Sequence, residues 1–171
     1  MKYKKLYLYL CLLTIVSCSK DGSTTPEKFT GYTMTDVTGN FLGTIDSSDW
    51  TDDVNWTNRE KDLYNDYAKF VDVTNLNPGV IIYPAYPNPS SSRIFSISSS
   101  KPSGYRMKIR ILDYNWKTLI TSDSIVDPTL FVDLSNYSVH SDSLFRIYYM
   151  IVSNDSCFLK GHGDLSVKMG I

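Results

Sequence analysis

The sequence predicts a mainly β protein, an antiparallel β-sandwich carrying an N-terminal β-hairpin and one short helix. Three observations carry that prediction. The composition is rich in Tyr, Ser, Thr, Ile and Val and poor in Ala, Glu and Leu, a balance that favours strands over helices. Tyr105, Met107, Ile109 and Ile111 alternate with Arg106, Lys108 and Arg110, the period of a strand with one dry and one wet face. Short apolar stretches also recur about every dozen residues between turn signals, as in a sandwich.

The first segment reads as an address. Lys2, Lys4 and Lys5 precede an apolar run, Leu6 to Val16, too short to stay in a bilayer as a spanning helix. Ile15-Val16-Ser17-Cys18 resembles the lipobox of bacterial lipoproteins. The resemblance implies a signal peptide over 1–17, acylation of Cys18 and membrane attachment through N-terminal acyl chains, each buried methylene contributing about 0.8 kcal/mol. Residues 18–28 contain no large apolar side chain and are expected to form a tether. Within it, Lys20-Asp21 is similar to the lysine-acid signal of surface lipoproteins in Bacteroidota, with Gly22 where a second acid is usual. The expected location is the outer membrane, on its surface-exposed or periplasmic face.

Without Met1–Ser17, 154 residues remain, enough to bury roughly 68 to 70% of the unfolded chain's surface. The leader takes three lysines with it and leaves 14 basic against 18 acidic residues, a formal charge of −4. Such a balance attracts neither nucleic acid nor an anionic lipid surface. Cys11 leaves with the leader and Cys18 is expected to carry lipid, so Cys157 has no partner for a disulfide.

Residues 29–79 are expected to pack onto the sandwich, because about fifty residues with so few apolar groups cannot sustain a core. Phe29 to Ile45 reads as a hairpin. Tyr32 and Met34 lead to the bend Asp36-Val37-Thr38-Gly39-Asn40, and Phe41, Leu42 and Ile45 lie on the return. Next comes a loop with four carboxylates, Asp46, Asp49, Asp52 and Asp53, and two indoles, Trp50 and Trp56. Clustered acids can ligate Ca²⁺, but the EF-hand order of glycine and final acid is missing. The plainer expectation is that both indoles plug the core while the acids brace turns. Thr57 and Glu60 then form a capping box opening a short helix, with Leu63, Tyr67 and Phe70 as its docking stripe. Asn75-Leu76-Asn77-Pro78-Gly79 ends this region.

Residues 80–171 read as the sandwich, with strands at Val80–Tyr83, Arg93–Ser98, Tyr105–Asp113, Thr118–Ser122, Leu130–Leu134, Leu144–Val152, Phe158–Lys160 and Leu165–Lys168. The alternating Tyr105 strand is expected on an outer surface. The nearly all-apolar Leu144 strand is expected at the centre, covered on both sides. Tyr86-Pro87-Asn88-Pro89, Lys108 to Asp113, Val132-Asp133-Leu134 and Arg146-Ile147-Tyr148 resemble successive motifs of the C-terminal sorting domains of type IX secretion cargo in Bacteroidota. Those domains are immunoglobulin-like sandwiches, so the resemblance implies that fold for about the last ninety residues. The chain departs from the pattern at Trp116 and near Phe145, where the family has glycines, and a lipid cysteine is not usual in cargo. The whole chain is similar to small, uncharacterised lipoproteins of that phylum, whose Asp-x-x-Asp-Trp loop matches Asp46, Asp49 and Trp50.

Candidates for chemistry are few. Cys157, His162 and Asp164 have the residue types of a nucleophile, a base and its orienting acid. On one extended segment, Cys157 and His162 would point to opposite faces about 16 Å apart. Gly161-His162-Gly163 reads instead as a bend between the last two strands. His140 stands in a polar loop without a second ligand near it in sequence. No phosphate loop, serine elbow or metal-binding helix occurs, and no cofactor or metal is expected. Trp50, Trp56 and Trp116 offer a possible platform for sugar rings. The expected function is a non-catalytic, lipid-anchored binding or assembly module of the cell envelope, with a protein or glycan as partner. The alternatives are a surface carbohydrate-binding lipoprotein, a type IX cargo or sorting domain, and a thiol enzyme built on Cys157 and His162.

Overall fold

The computed structural model describes residues 29, 31–43, 45–67, 79–154 and 156–168. The expected signal peptide, Cys18, the tether, Phe70 and the break at 75–78 lie outside the described residues. The elements are β1 (Thr51–Asp52), α1 (Asn58–Asp62), a 3-10 turn (Asn65–Tyr67), β2 (Ile94–Ser98), β3 (Arg106–Leu112), β4 (Thr118–Ile125), β5 (Thr129–Asp133), β6 (Ser143–Ser153) and β7 (Ser156–Val167).

The fold is the mainly β antiparallel sandwich that the sequence predicts. One sheet has the order β1-β7-β6-β3-β4, and the other pairs β2 with β5. Bridges from Ile82 to Ser99 and from Tyr86 to Ser96 lay the chain before β2 along its free side. Between the sheets lie Phe95, Ile97 and Val132 from the small sheet and Met107, Ile109, Ile111, Ile147 and Leu165 from the large one. β6 holds the central place expected of an apolar run, with buried residues on both faces.

Four expectations change. Lys108 and Arg110, the wet face of the Tyr105 strand, are buried. Leu63 and Tyr64, just after α1, lie over this face, as described below. The segments Phe158–Lys160 and Leu165–Lys168 belong, except for Lys168, to one strand that pairs with β6 from Ser143↔Val167 to Ser153↔Ser156. Gly161 and Gly163 therefore sit inside β7 and make no bend. They are glycines because other groups press on them: an added Cβ at Gly163 would lie 2.4 Å from the Trp50 ring, and at Gly161 2.2 Å from the Thr51 carbonyl oxygen. Finally, the helical region docks chiefly through Tyr64, fully buried and not part of the expected stripe, with the expected Leu63 packed half-buried on the same cluster.

The N-terminal hairpin is present in minimal form, a single bridge from Thr35 to Phe41 around a bend with Gly39 at φ 87°. The capping box is formed as expected: Thr57 Oγ1 accepts the Glu60 amide, and Glu60 Oε2 accepts the Thr57 amide at 2.6 Å.

Candidate functional site

A knot of side chains ties the N-terminal region to β7. Asp49 accepts the backbone amides of Thr33 at 2.5 Å and Asp164 at 2.6 Å. Asn88, from Tyr86-Pro87-Asn88-Pro89, donates to the carbonyls of the same two residues at 3.0 and 2.9 Å and accepts the Ser166 amide at 2.8 Å. Side chains thus replace a missing ladder rung on both sides of Thr33 and Asp164, satisfying groups that burial would otherwise orphan. Burial raises the Asp49 carboxyl to about 6, against the opposing pull of those two amides.

The outer face of the large sheet is a second polar assembly. Arg146 makes a bidentate pair with Asp164, Nε to Oδ1 at 2.7 Å and Nη2 to Oδ2 at 2.8 Å, with Phe29 stacked on the guanidinium. Arg110 reaches Asp123 at 2.7 Å and the Leu63 carbonyl at 3.0 Å, under the Tyr64 ring. Lys108 donates to the Asp123 carbonyl, and Tyr64 donates its hydroxyl to the Tyr148 carbonyl at 2.8 Å. Trp56 stacks on Tyr64 and meets Tyr148 edge-on, with Lys160 beside its ring. These contacts fill the face and leave it as structure.

The open site lies at the end of the sandwich. A groove of about 370 Å³ runs between the β3–β4 turn and the β5–β6 loop, lined by Asp113, Tyr114, Lys117, Asn136, Tyr137 and His140 among others. Both walls are held rigidly. Asp113 Oδ1 accepts the amides of Asn115 and Lys117, while the Tyr137 hydroxyl donates to the Leu119 carbonyl and the Asp142 amide to the Val167 carbonyl. Tyr114 is 68% exposed, and among the described residues nothing covers most of it. A flat aromatic face beside an amide, an imidazole and opposite charges can stack on one side of a small polar ligand and hydrogen-bond its edge.

The residues singled out from sequence are dispersed. Trp50 is in the inter-sheet core against Tyr149, and Trp56 is buried on the opposite face of the same sheet, as the plug expectation has it. Trp116 packs against Tyr148 with Arg59 over its ring, so the three indoles form no common platform. Trp116 takes φ 63°, in the left-handed region that favours glycine. Asp46 accepts the Ser48 amide and Asp53 the Asn55 amide, and Asp49 is spent on the knot. Among the described residues no group of three or more His, Cys, Asp or Glu could hold a metal ion.

Cys157 and His162 also differ from expectation, because they share a face. A register shift between Ile151 and Val152 sets Val152 opposite Cys157 and Ile151 opposite Leu159, so Cys157 joins the outer cluster where His162 packs against Tyr148. The thiol is fully buried, its ordinary pKa pushed up to about 11 by burial, and it contacts the Leu159 carbonyl. Burial lowers the His162 pKa, and its Nδ1 lies 3.9 Å from Asp53.

The groove tyrosines escape a motif search because no known spacing contains them. The available signal is a pair of polar turns, Asp113-Tyr114-Asn115 and Asn136-Tyr137-Ser138, each carrying a tyrosine next to an asparagine. No family model, curated protein or solved structure matches the chain.

Proposed function

We propose that this chain is a lipid-anchored, non-catalytic binding module of the bacterial cell envelope, with its ligand end at the groove beside Tyr114. The observation that carries the reading is the rigid, open groove with an uncovered aromatic ring and mixed hydrogen-bonding side chains. Its volume suits one or two sugar rings, or another compact hydroxylated ligand. The nearest approach to a catalytic constellation is at Cys157, whose buried, poorly acidic thiol is the opposite of an activated nucleophile.

Titration of the acylated protein with a panel of neutral mono- and disaccharides, followed by NMR shifts of the Tyr114 and Tyr137 rings, tests the ligand end. Saturable shifts that vanish in Tyr114→Ala support it. Shifts that survive Tyr114→Ala, or none across the panel, overturn it. Alkylation tests the non-catalytic assignment: Cys157 reacts in the unfolded protein and is protected in the folded one, and rapid modification of the folded protein would overturn the assignment.

A further inference from the structure

The N-terminal hairpin has its polarity inverted. Thr33 and Thr35 point inward and are 1% and 2% exposed, while Met34, Val37, Phe41, Leu42 and Ile45 are all turned to the outside, Val37 at 76%. Backbone bonds at Thr33 and the hydroxyl of Thr35 tie this edge to the core. The Thr33 amide and carbonyl are taken by Asp49 and Asn88, and the Thr35 hydroxyl donates to the Ala85 carbonyl at 2.6 Å. Among the described residues, these five apolar side chains, which occupy a stretch of twelve residues, keep between 37% and 76% of their surface exposed.

The tip that presents them is stiff. Asp36 Oδ1 accepts the Thr38 and Asn40 amides at 2.8 and 3.0 Å, the Leu42 amide donates to the Met34 carbonyl at 2.9 Å, and Gly39 supplies the left-handed turn. Such a tip holds its apolar groups out at little ordering cost.

Three features decide what covers it. Phe29 stands eleven residues after Cys18, a reach of at most roughly 38 Å, so an acylated Cys18 keeps this hairpin within a short distance of the bilayer. No Lys or Arg occurs between Lys28 and Arg59, which leaves hydrophobic insertion, and not headgroup charge, as the attraction. A hairpin tip also offers too few residues for a protein interface, which engages about 20 to 30 a side.

From this we infer that the hairpin tip, led by Val37, Phe41 and Leu42, inserts into the lipid surface beside the acyl anchor and fixes the sandwich's orientation on the membrane. The inference rests on the lipid-anchored reading above.

The test uses the full chain purified from cells fed alkyne-palmitate and reconstituted into phosphatidylcholine vesicles with brominated acyl chains. A bimane probe is placed through Leu42→Cys or, as the control, through Thr121→Cys on β4, the far edge strand of the large sheet. Quenching at residue 42 at least twofold greater than at residue 121, and unchanged in 1 M salt, is the expected result. Labelled protein with equal quenching at both positions overturns the insertion and leaves the anchor standing. Labelled protein in which residue 42 is unquenched but cross-links to residue 42 of another molecule assigns the tip to a second copy and overturns the insertion. Protein without the palmitate label overturns the anchor, and the inference with it.

Discussion

The two faces of the five-stranded sheet are both buried, but by different chemistry. The inner face sets Met107, Ile109, Ile111, Ile147 and Leu165 against Phe95, Ile97 and Val132, and its stability is removal of hydrocarbon from water. The outer face buries Lys108, Arg110, Arg146 and Lys160 together with Trp56, Tyr64 and Tyr148. Each cation there costs desolvation, offset by a carboxylate, a carbonyl or an aromatic face. An apolar face tolerates loss of a contact in proportion to the cavity left. The polar face fails more sharply, because removing one partner strands another.

The largest effect is therefore expected on the outer face. Arg146→Ala leaves Asp164 buried without its bidentate partner and should cost about 3–5 kcal/mol in chemical denaturation. The double variant Arg146→Met with Asp164→Asn should recover much of that loss. If it recovers none, the pair is a net stabiliser in its own right. On the inner face, Ile109→Ala should cost about 3–4 kcal/mol by lost transfer energy and cavity formation. Its cost should not depend on the state of the outer face, so additivity with Arg146→Ala would show that the two layers are independent.

Third in size is a pH effect from the knot. The Asp49 carboxyl is raised from 3.8 to about 6, so the folded state binds its proton more tightly than the unfolded chain does. That contribution is fully present below about pH 4 and is lost as pH rises through 6, a change of up to about 3 kcal/mol. Asp36, Asp46 and Asp133, whose hydrogen bonds lower their pKa values, act in the opposite direction. The difference between wild type and Asp49→Asn isolates the knot: wild type should gain relative to the variant on acidification from pH 7 to pH 4. The smallest effect is expected at the helix over the outer face, where Thr57→Ala should cost about 1 kcal/mol through loss of the cap. A greater loss would mean that α1 and Tyr64 hold the outer face as one unit.

The inner layer was legible in the sequence because the alternation of Met107, Ile109 and Ile111 and the continuous Leu144 run are local patterns with a fixed period. The outer layer was misread for the same reason. Alternation marks Lys108 and Arg110 as wet, and no local pattern says that Tyr64, more than forty residues earlier, donates to the Tyr148 carbonyl above them. The capping box was legible because its partners are three residues apart. Cys157 was assigned the wrong face because one irregularity at Ile151 and Val152 reverses every side chain beyond it. The groove was hidden because its walls come from two turns that only the pairing of the strands brings together.

By itself the sequence determined the β class, the central strand, the turn at Gly39 and the helix cap, since each rests on neighbours within a few residues. Tertiary structure decided the rest: that Asp49 and Asn88 spend themselves on backbone, that Gly161 and Gly163 serve close approach, and that Tyr114 is left uncovered. The physical reason is that burial and hydrogen-bond satisfaction are settled between segments far apart in the chain, and a one-dimensional pattern carries no record of which of them meet.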